Sequence, residues 1–296
     1  MTERSAIGVD VGGTKTALGL VASDGTLREL ERIRNSDVGT DEALLAAIAD
    51  RCRSLADATP VGGIGVALPE VLDPSGELQS HVSVGWTRRA ILDALAPIAP
   101  VSLEADVRAA ALAEARLGAG RGRSTVGYVS VGTGVSAALV LDGTPYAGAH
   151  AAAQLLGSAE IPIACPHCGR RFRAAALEHV AAGPSLVARY NADAGAALER
   201  GEELLAAARN GDAIAERVVA DGAETLGGYL ALFVNIVDPE VVVVGGGLGA
   251  ALADRWPSVV AAAREHIWAV HVRDVPIVQA ELGEISGVIG AGLLIR

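Results

Sequence analysis

Lysine is almost absent from this sequence: Lys15 is the only one, and every other strongly basic side chain is an arginine. Aromatic residues make up 3% against 51% hydrophobic overall. The cores therefore have to be built from Ala, Val, Leu and Ile, with many small contacts in place of a few large anchors. Cationic runs are missing too. A formal net charge of −11 without a dense Lys/Arg stretch opposes a nucleic-acid backbone or an anionic membrane, and neither is expected as a partner. Apolar runs such as 230–234 and 241–244 are far shorter than a membrane span. Residues 1–5 pass straight into a strand pattern and hold no charged-then-apolar leader, so the expected location is cytoplasmic. The three cysteines, Cys52 alone and Cys165 with Cys168 in a C-x-x-C, are too few for a disulfide framework and fit a reducing compartment.

What is present begins at residue 7. The stretch 7–21 reads as strand, glycine turn, strand: an apolar run ends in Asp10, Gly12 and Gly13 reverse the chain, and Thr14 and Lys15 follow. Glycines expose backbone N–H groups without a Cβ in the way, which suits phosphate oxygens; Lys15 adds positive charge, and Asp10 is of the type that approaches magnesium. The alternative is a tight hairpin whose glycines only satisfy the turn. The segment 126–143 repeats the pattern. Gly132 stands at the same offset from Gly12 as Ala137 from Ala17, Thr133 and Gly134 continue the turn, and Ser130 replaces Asp10. At 296 residues the chain is long enough for two lobes, and the duplication predicts α/β lobes with a nucleotide's phosphates lying between the two turns.

Between and beyond these hairpins the patterning predicts a helix over 41–55, a buried strand over 62–68, and a strand at 101–103 running into Glu104, Ala105 and Asp106 before an alanine-rich helix at 107–117. Asp106 thus falls at a strand-to-helix junction, where it caps the helix, acts as a catalytic carboxylate, or both. Helical patterns follow at 202–208, 213–220 and 224–235. A β-branched strand at 241–244 then ends in Gly245, Gly246 and Gly247, an exit suited to an adenine or ribose, or to close packing of a helix. A helix at 257–267, a strand at 275–280 and a glycine-rich helix at 285–294 close the chain.

Taken together, Asp10-Val11-Gly12-Gly13-Thr14-Lys15, Glu104-Ala105-Asp106 leading into the helix with Glu114, Gly132-Thr133-Gly134, Leu177-Glu178 with Gly183, and the run from Asn235 to Gly246 resemble the ROK family of sugar kinases and related repressors, in the actin-like ATPase superfamily. The resemblance covers nearly the whole chain. It implies a two-lobed ribonuclease H-like α/β fold, with a small lobe over 1–107 on which a helix at 284–296 packs back, and a large lobe over 108–283. It also implies ATP-dependent phosphoryl transfer to a sugar hydroxyl, with Asp106 as general base, and magnesium served by Asp10 through water. The turns at Gly12–Lys15 and Gly132–Gly134 match the phosphate loops, Gly245 to Gly247 match the adenosine loop, and Glu104, Asp106 and Glu178 fall on the sugar side. Homodimerisation is a further implication. The added amino-terminal helix-turn-helix of the repressors has no counterpart before the first strand.

The departures concern the acceptor. The family's Asn-Asp pair is Ala105-Asp106, its second Asn is Arg108, and its Gly-Glu-x-Gly-His segment falls on Gln154-Leu155-Leu156-Gly157-Ser158. Structural zinc needs four closed ligands, and Cys165 and Cys168 supply two. His167, His150 or His179 would have to complete a rebuilt site, the alternative being a reduced C-x-x-C without metal. The expected function is therefore a kinase for a hexose or modified, amino-bearing hexose. The competing expectation is an inactive sensor of sugar or nucleotide.

Overall fold

The computed structural model describes residues 4–160, 163–164, 167–169, 171–172 and 176–295. The chain divides into two compact units: Met1–Gly122, Ala138–Ala153 and Glu284–Arg296 form one, and Arg123–Ala137 with Gln154–Gly283 the other.

In the first unit the order is β1 (Ser5–Val11), β2 (Lys15–Val21), β3 (Leu27–Arg34), α1 (Asn35–Val38), α2 (Asp41–Ala58), β4 (Val61–Leu68), α3 (Arg88–Leu95), β5 (Val101–Ala105) and α4 (Asp106–Leu117). The sheet runs β3-β2-β1-β4-β5, antiparallel through the hairpins and parallel where β1 meets β4 and β4 meets β5. Strand β3 and helix α3 go beyond the sequence reading. The alternating charges of β3 leave most of it half-buried or exposed at the sheet edge, so no apolar run marks it. Helix α2 starts where Thr40 accepts from the Ala43 amide, and α3 where Thr87 does the same for Ala90. Ile7, Leu18, Ile48, Ile64, Leu68, Ile91 and Leu95 fill the core against these helices.

The remaining elements are β6 (Thr125–Val131), β7 (Val135–Leu141), β8 (Thr144–Pro145), β9 (Ile163–Ala164), β10 (Arg171–Phe172), α5 (Glu178–Ala181), α6 (Gly183–Ala194), α7 (Gly201–Arg209), α8 (Ala213–Val237), β11 (Val241–Gly245), α9 (Gly247–Ala251), α10 (Trp256–His266), β12 (Ile277–Gln279) and α11 (Ser286–Leu293). The second sheet runs β12-β11-β6-β7-β8. The two helical patterns expected at 213–220 and 224–235 are one helix, α8, which continues through Gly222; a Cβ there would come within 2.8 Å of Leu186 on α6. Asp212 caps α8 by accepting from the amides of Ile214 and Ala215. Tyr128 and the leucines 177, 186, 204, 226 and 230 are buried in the second unit. No helix among the described residues is long and apolar enough to cross a membrane.

Helix α11 belongs to the first unit and packs on β1, β2, β4 and α4. Gly8 and Gly65 are partners across the parallel β1–β4 ladder. A Cβ on Gly8 would sit 2.0 Å from the Val288 carbonyl oxygen, one on Gly65 1.8 Å from that of Ala291, and one on Gly290 1.8 Å from that of Ala109. Such separations admit no side chain, so the backbones of β1, β4, α4 and α11 meet closely, with Ala67, Ala109 and Ala291 at the junction. Gly65→Ala must therefore push α11 off the sheet. Urea unfolding is expected to show a loss of about 3 kcal/mol, the upper part of the usual overpacking range, and a change under ~1 kcal/mol would contradict this packing.

Candidate active site

The first glycine turn is held from outside itself. Gly12 N–H donates to the Lys15 carbonyl at 3.0 Å, and Asn35, at the start of α1, donates from its side chain to the Gly12 carbonyl at 2.7 Å. The buried Thr16 hydroxyl in turn donates to the Asn35 side-chain oxygen at 3.1 Å, and the Asn35 amide donates to the Thr14 carbonyl. A Cβ on Gly12 would lie 2.8 Å from the Lys15 carbonyl, so that glycine is required by the turn, whereas Gly13 is open. Gly13, Thr14 and Lys15 are exposed. Lys15 Nζ is paired with Glu284 at 2.9 Å, just before α11, with Arg32 at 4.0 Å on the same oxygen. Asn35 and Glu284 are functional neighbours that the sequence does not single out. Nothing in either side chain's own neighbourhood in sequence points to the turn, and only the β2–β3 pairing and the α11 packing bring them to it.

Asp10 stands in one ladder row with Ala67 and Glu104. A Cβ on Gly287 would come within 2.3 Å of an Asp10 carboxylate oxygen, so the α11 backbone lies directly against that carboxylate. Burial, followed by the charge of Asp106, pushes Asp10 up from 3.8 to about 7, with Lys15 pulling the other way. Asp106 is raised to about 6, again mainly by burial; the bond from the Val107 amide lowers it, Glu70 raises it and Arg108 lowers it. The capping expectation for Asp106 is corrected here. Ala105 holds the N-cap position without a side-chain cap, and Asp106 is the first helical residue, its carboxylate accepting from the next amide at 2.6 Å.

Glu104 and Arg108 form a pair on one turn of chain. Nε and Nη2 of Arg108 reach one Glu104 oxygen at 2.7 and 2.6 Å, and Nη1 donates to the Ala151 carbonyl at 2.9 Å. Arg108 is buried. Where the family pattern has an amide, this chain therefore has a guanidinium already committed to a carboxylate and a carbonyl.

In the second unit, the Gly132 amide donates to the Gly134 carbonyl at 2.9 Å and the Gly183 amide, opening α6, donates to the Gly132 carbonyl at 2.9 Å. Thr133 and Gly134 are exposed. A Cβ on Gly134 would be 3.4 Å from a Glu178 oxygen, and one on Gly132 3.9 Å from the Gly247 nitrogen, so this turn, Glu178 and the end of β11 are neighbours. Of the three glycines there, Gly245 faces the Tyr128 hydroxyl at 2.3 Å from a would-be Cβ, and Gly246, at φ +81°, faces the Val131 carbonyl at 2.4 Å. Packing demands both; only Gly247 borders open space. The side-chain oxygen of Gln154 is buried without a hydrogen-bond partner, and its backbone sits at φ +60°. Cys168 is exposed with a free thiol, and Cys165 lies outside the described residues. Among the described residues no three His, Cys, Asp or Glu side chains gather as a metal site, so no zinc set is assembled by them.

The sign of the Asp10 effect gives a test. A carboxyl whose folded value is about 7 against 3.8 costs nothing at pH values below 3.8, and its burial penalty grows as pH rises until it is complete above about 7. Asp10→Asn removes that penalty. In EDTA and without nucleotide, its melting temperature relative to the parent is expected to rise from pH 4 to about pH 7 and to level off above that; a pH-independent difference would refute the assignment.

A model described as the ROK family matches residues 6–296. An N-acetylgalactosamine kinase of Shewanella sp. (strain ANA-3) is 31% identical over 97% of this chain and 95% of its own length. A kanosamine kinase of Amycolatopsis mediterranei (strain S699) is 29% identical over 96% and 94%. Among solved structures, a ROK hexokinase from Thermus thermophilus aligns with a TM-score of 0.81 at 30% identity, covering 98% of this chain and 97% of that one. A ROK family glucokinase from Streptomyces griseus in complex with glucose and AMPPNP aligns at 0.79 and 25%, covering 98% of each. The two mixed sheets and their duplicated hairpins are those of the actin-like ATPase fold that these kinases share, and the chain belongs to the ROK family.

Proposed function

We propose that this protein is an ATP-dependent sugar kinase that transfers the γ-phosphate of ATP to a hydroxyl, the 6-hydroxyl, of a hexose or amino hexose. The observation that carries the reading is Asp106: a recessed carboxylate at the β5–α4 junction, poised at about 6, as a general base working near neutrality requires. Asp106 takes the proton of the attacking hydroxyl as that oxygen bonds to the γ-phosphorus. The bond to the bridging oxygen breaks, and ADP leaves.

The remaining assignments follow the same reading. Gly12, Gly13, Thr14 and Lys15, and Gly132, Thr133 and Gly134, take the phosphates, and Gly245 to Gly247 the adenosine, with Gly247 making the contact and the other two shaping the backbone. Lys15 exchanges Glu284 for phosphate oxygens; a pair this exposed is worth little and is readily given up. Asp10 fits a magnesium ion held through water, because a cation relieves the cost of ionising a carboxylate that is buried beside Asp106. Bound there, magnesium would neutralise phosphate charge. Glu178 and Glu104 belong to the acceptor side in the same reading, Glu104 through its hold on Arg108.

We also place the protein in the cytoplasm, as a homodimer. The side chains of Ile236, Trp268 and Val270 are 70%, 86% and 71% exposed, and Asn235 ties this surface together by accepting from the Trp268 amide and donating to the His266 carbonyl. Large apolar groups so exposed and so firmly held suit a self-contact. Trp268→Glu is expected to turn a dimer into a monomer in light scattering; a monomeric parent would sink the proposal.

A second reading, a sensor without turnover, is favoured by one observation, the closure of Arg108 onto Glu104 and Ala151. The deciding experiment is a coupled ADP assay with Mg-ATP and a panel including glucose, N-acetylgalactosamine, N-acetylmannosamine and kanosamine. Turnover is expected with at least one sugar, falling as pH drops through about 6 and dropping at least ~100-fold in Asp106→Ala. If no sugar yields ADP, the kinase reading fails; if Asp106→Ala retains full activity, the general base is misassigned.

A further inference from the structure

Glu70, on the loop after β4, is 4% exposed. It is also unusually well supplied with donors. One carboxylate oxygen accepts from the Ser80 hydroxyl at 2.5 Å and the Val82 amide at 3.0 Å, the other from the amides of Ser83 at 2.6 Å and Val84 at 3.1 Å. Burial alone would raise this carboxyl, but the bonds from Ser80, Ser83, Val82 and Val84 outweigh it and hold it below its ordinary value, so the group is anionic. The segment 80–84 has no regular secondary structure. Its shape is set by this one side chain, with the Val71 amide donating to the Ser80 hydroxyl and Asp41 accepting from the Gly85 amide at its far end.

The loop so built has a definite address. The Ser83 hydroxyl lies 3.9 Å from where a Cβ on Gly13 would be, over the open residue of the phosphate-type turn. The Glu70 charge also raises Asp106. A segment whose Ser83 hydroxyl stands over Gly13, and whose anchoring carboxylate is within electrostatic reach of Asp106, borders the place where an acceptor hydroxyl would meet a transferred phosphate.

We propose that Glu70 is a positioning residue for the acceptor: its carboxylate folds 80–84 into a recognition loop on which Ser83 contacts the sugar. This rests on the sugar-binding reading given above, and goes beyond it by assigning a determinant on residues other than those that carry the resemblance. The amide of a glutamine replaces one oxygen by a donor. The Ser80 hydroxyl can turn to accept from it, but the Val82 amide cannot, so Glu70→Gln loses one bond and Glu70→Ala all four.

The test is calorimetric titration of the full chain with glucose, N-acetylgalactosamine and kanosamine, and separately with Mg-ADP, accompanied by melting temperatures. For whichever sugar the parent binds, Ser83→Ala is expected to weaken affinity about tenfold, Glu70→Ala more than that, and Glu70→Gln to lie between the parent and Glu70→Ala, with Mg-ADP affinity within about twofold throughout. Ser83→Ala should melt with the parent. Parental sugar affinity in Ser83→Ala, equal losses for sugar and nucleotide, or a parent that binds none of the three sugars would each overturn the proposal. Should Glu70→Ala not fold, Ser83→Ala and Glu70→Gln decide it. A parent that binds sugar yet releases no ADP in the coupled assay defeats the kinase reading and leaves this one standing.

Discussion

The near-contact of backbones where α11 crosses β1, β4 and α4 is the constraint on which the first unit depends. Strand–helix packing normally keeps layers about 10 Å apart through their side chains. Here the glycines at 8, 65 and 290 remove them, and a would-be Cβ at each falls within about 2 Å of a carbonyl. The arrangement sets the depth of everything carried by β1 and β5. Asp10 lies two residues beyond Gly8 on the same face, and Asp106 opens the helix against which Gly290 is pressed.

That closeness links packing to chemistry. Gly287 brings main chain against the Asp10 carboxylate, displacing the water that would stabilise its charge, so the raised value follows from geometry that the small residues impose. Asp106 is shifted less, because the Val107 amide gives back part of the stabilisation that burial removes. Two carboxyls of the same type thus differ by what each lost and what each was given.

Much of this was legible in the sequence. The duplicated hairpins appear as β1–β2 and β6–β7 with the glycine turns where the pattern placed them, and the 241–244 run is β11, because strand alternation and glycine turns are local signals. Asp106 was recognisable as a junction residue, though its position inside the helix was not, since one residue of offset separates a cap from a first turn. Strand β3 was missed because an edge strand rich in Arg and Glu carries no apolar alternation. Glu70, Asn35 and Glu284 were missed for a different reason. Their roles come from bonds to residues distant in sequence, to the 80–84 loop, to Gly12 and to Lys15, and a single polar side chain announces no partner. Gly245 and Gly246 carry a requirement that the sequence could not show: the Tyr128 hydroxyl and the Val131 carbonyl leave no room for a Cβ at either.

The packing of α11 also has a temporal side. Strand β1 lies near one end of the sequence and α11 near the other, and neither finds its partner until nearly all the intervening chain has been made. Pairings of such sequence separation are slow to form. During synthesis the face of β1 and β4 that α11 covers is made long before α11 itself. The main chain of Gly287 reaches the Asp10 carboxylate only once α11 is docked, so a chain without that docking carries the residues of the site without the burial that raises Asp10.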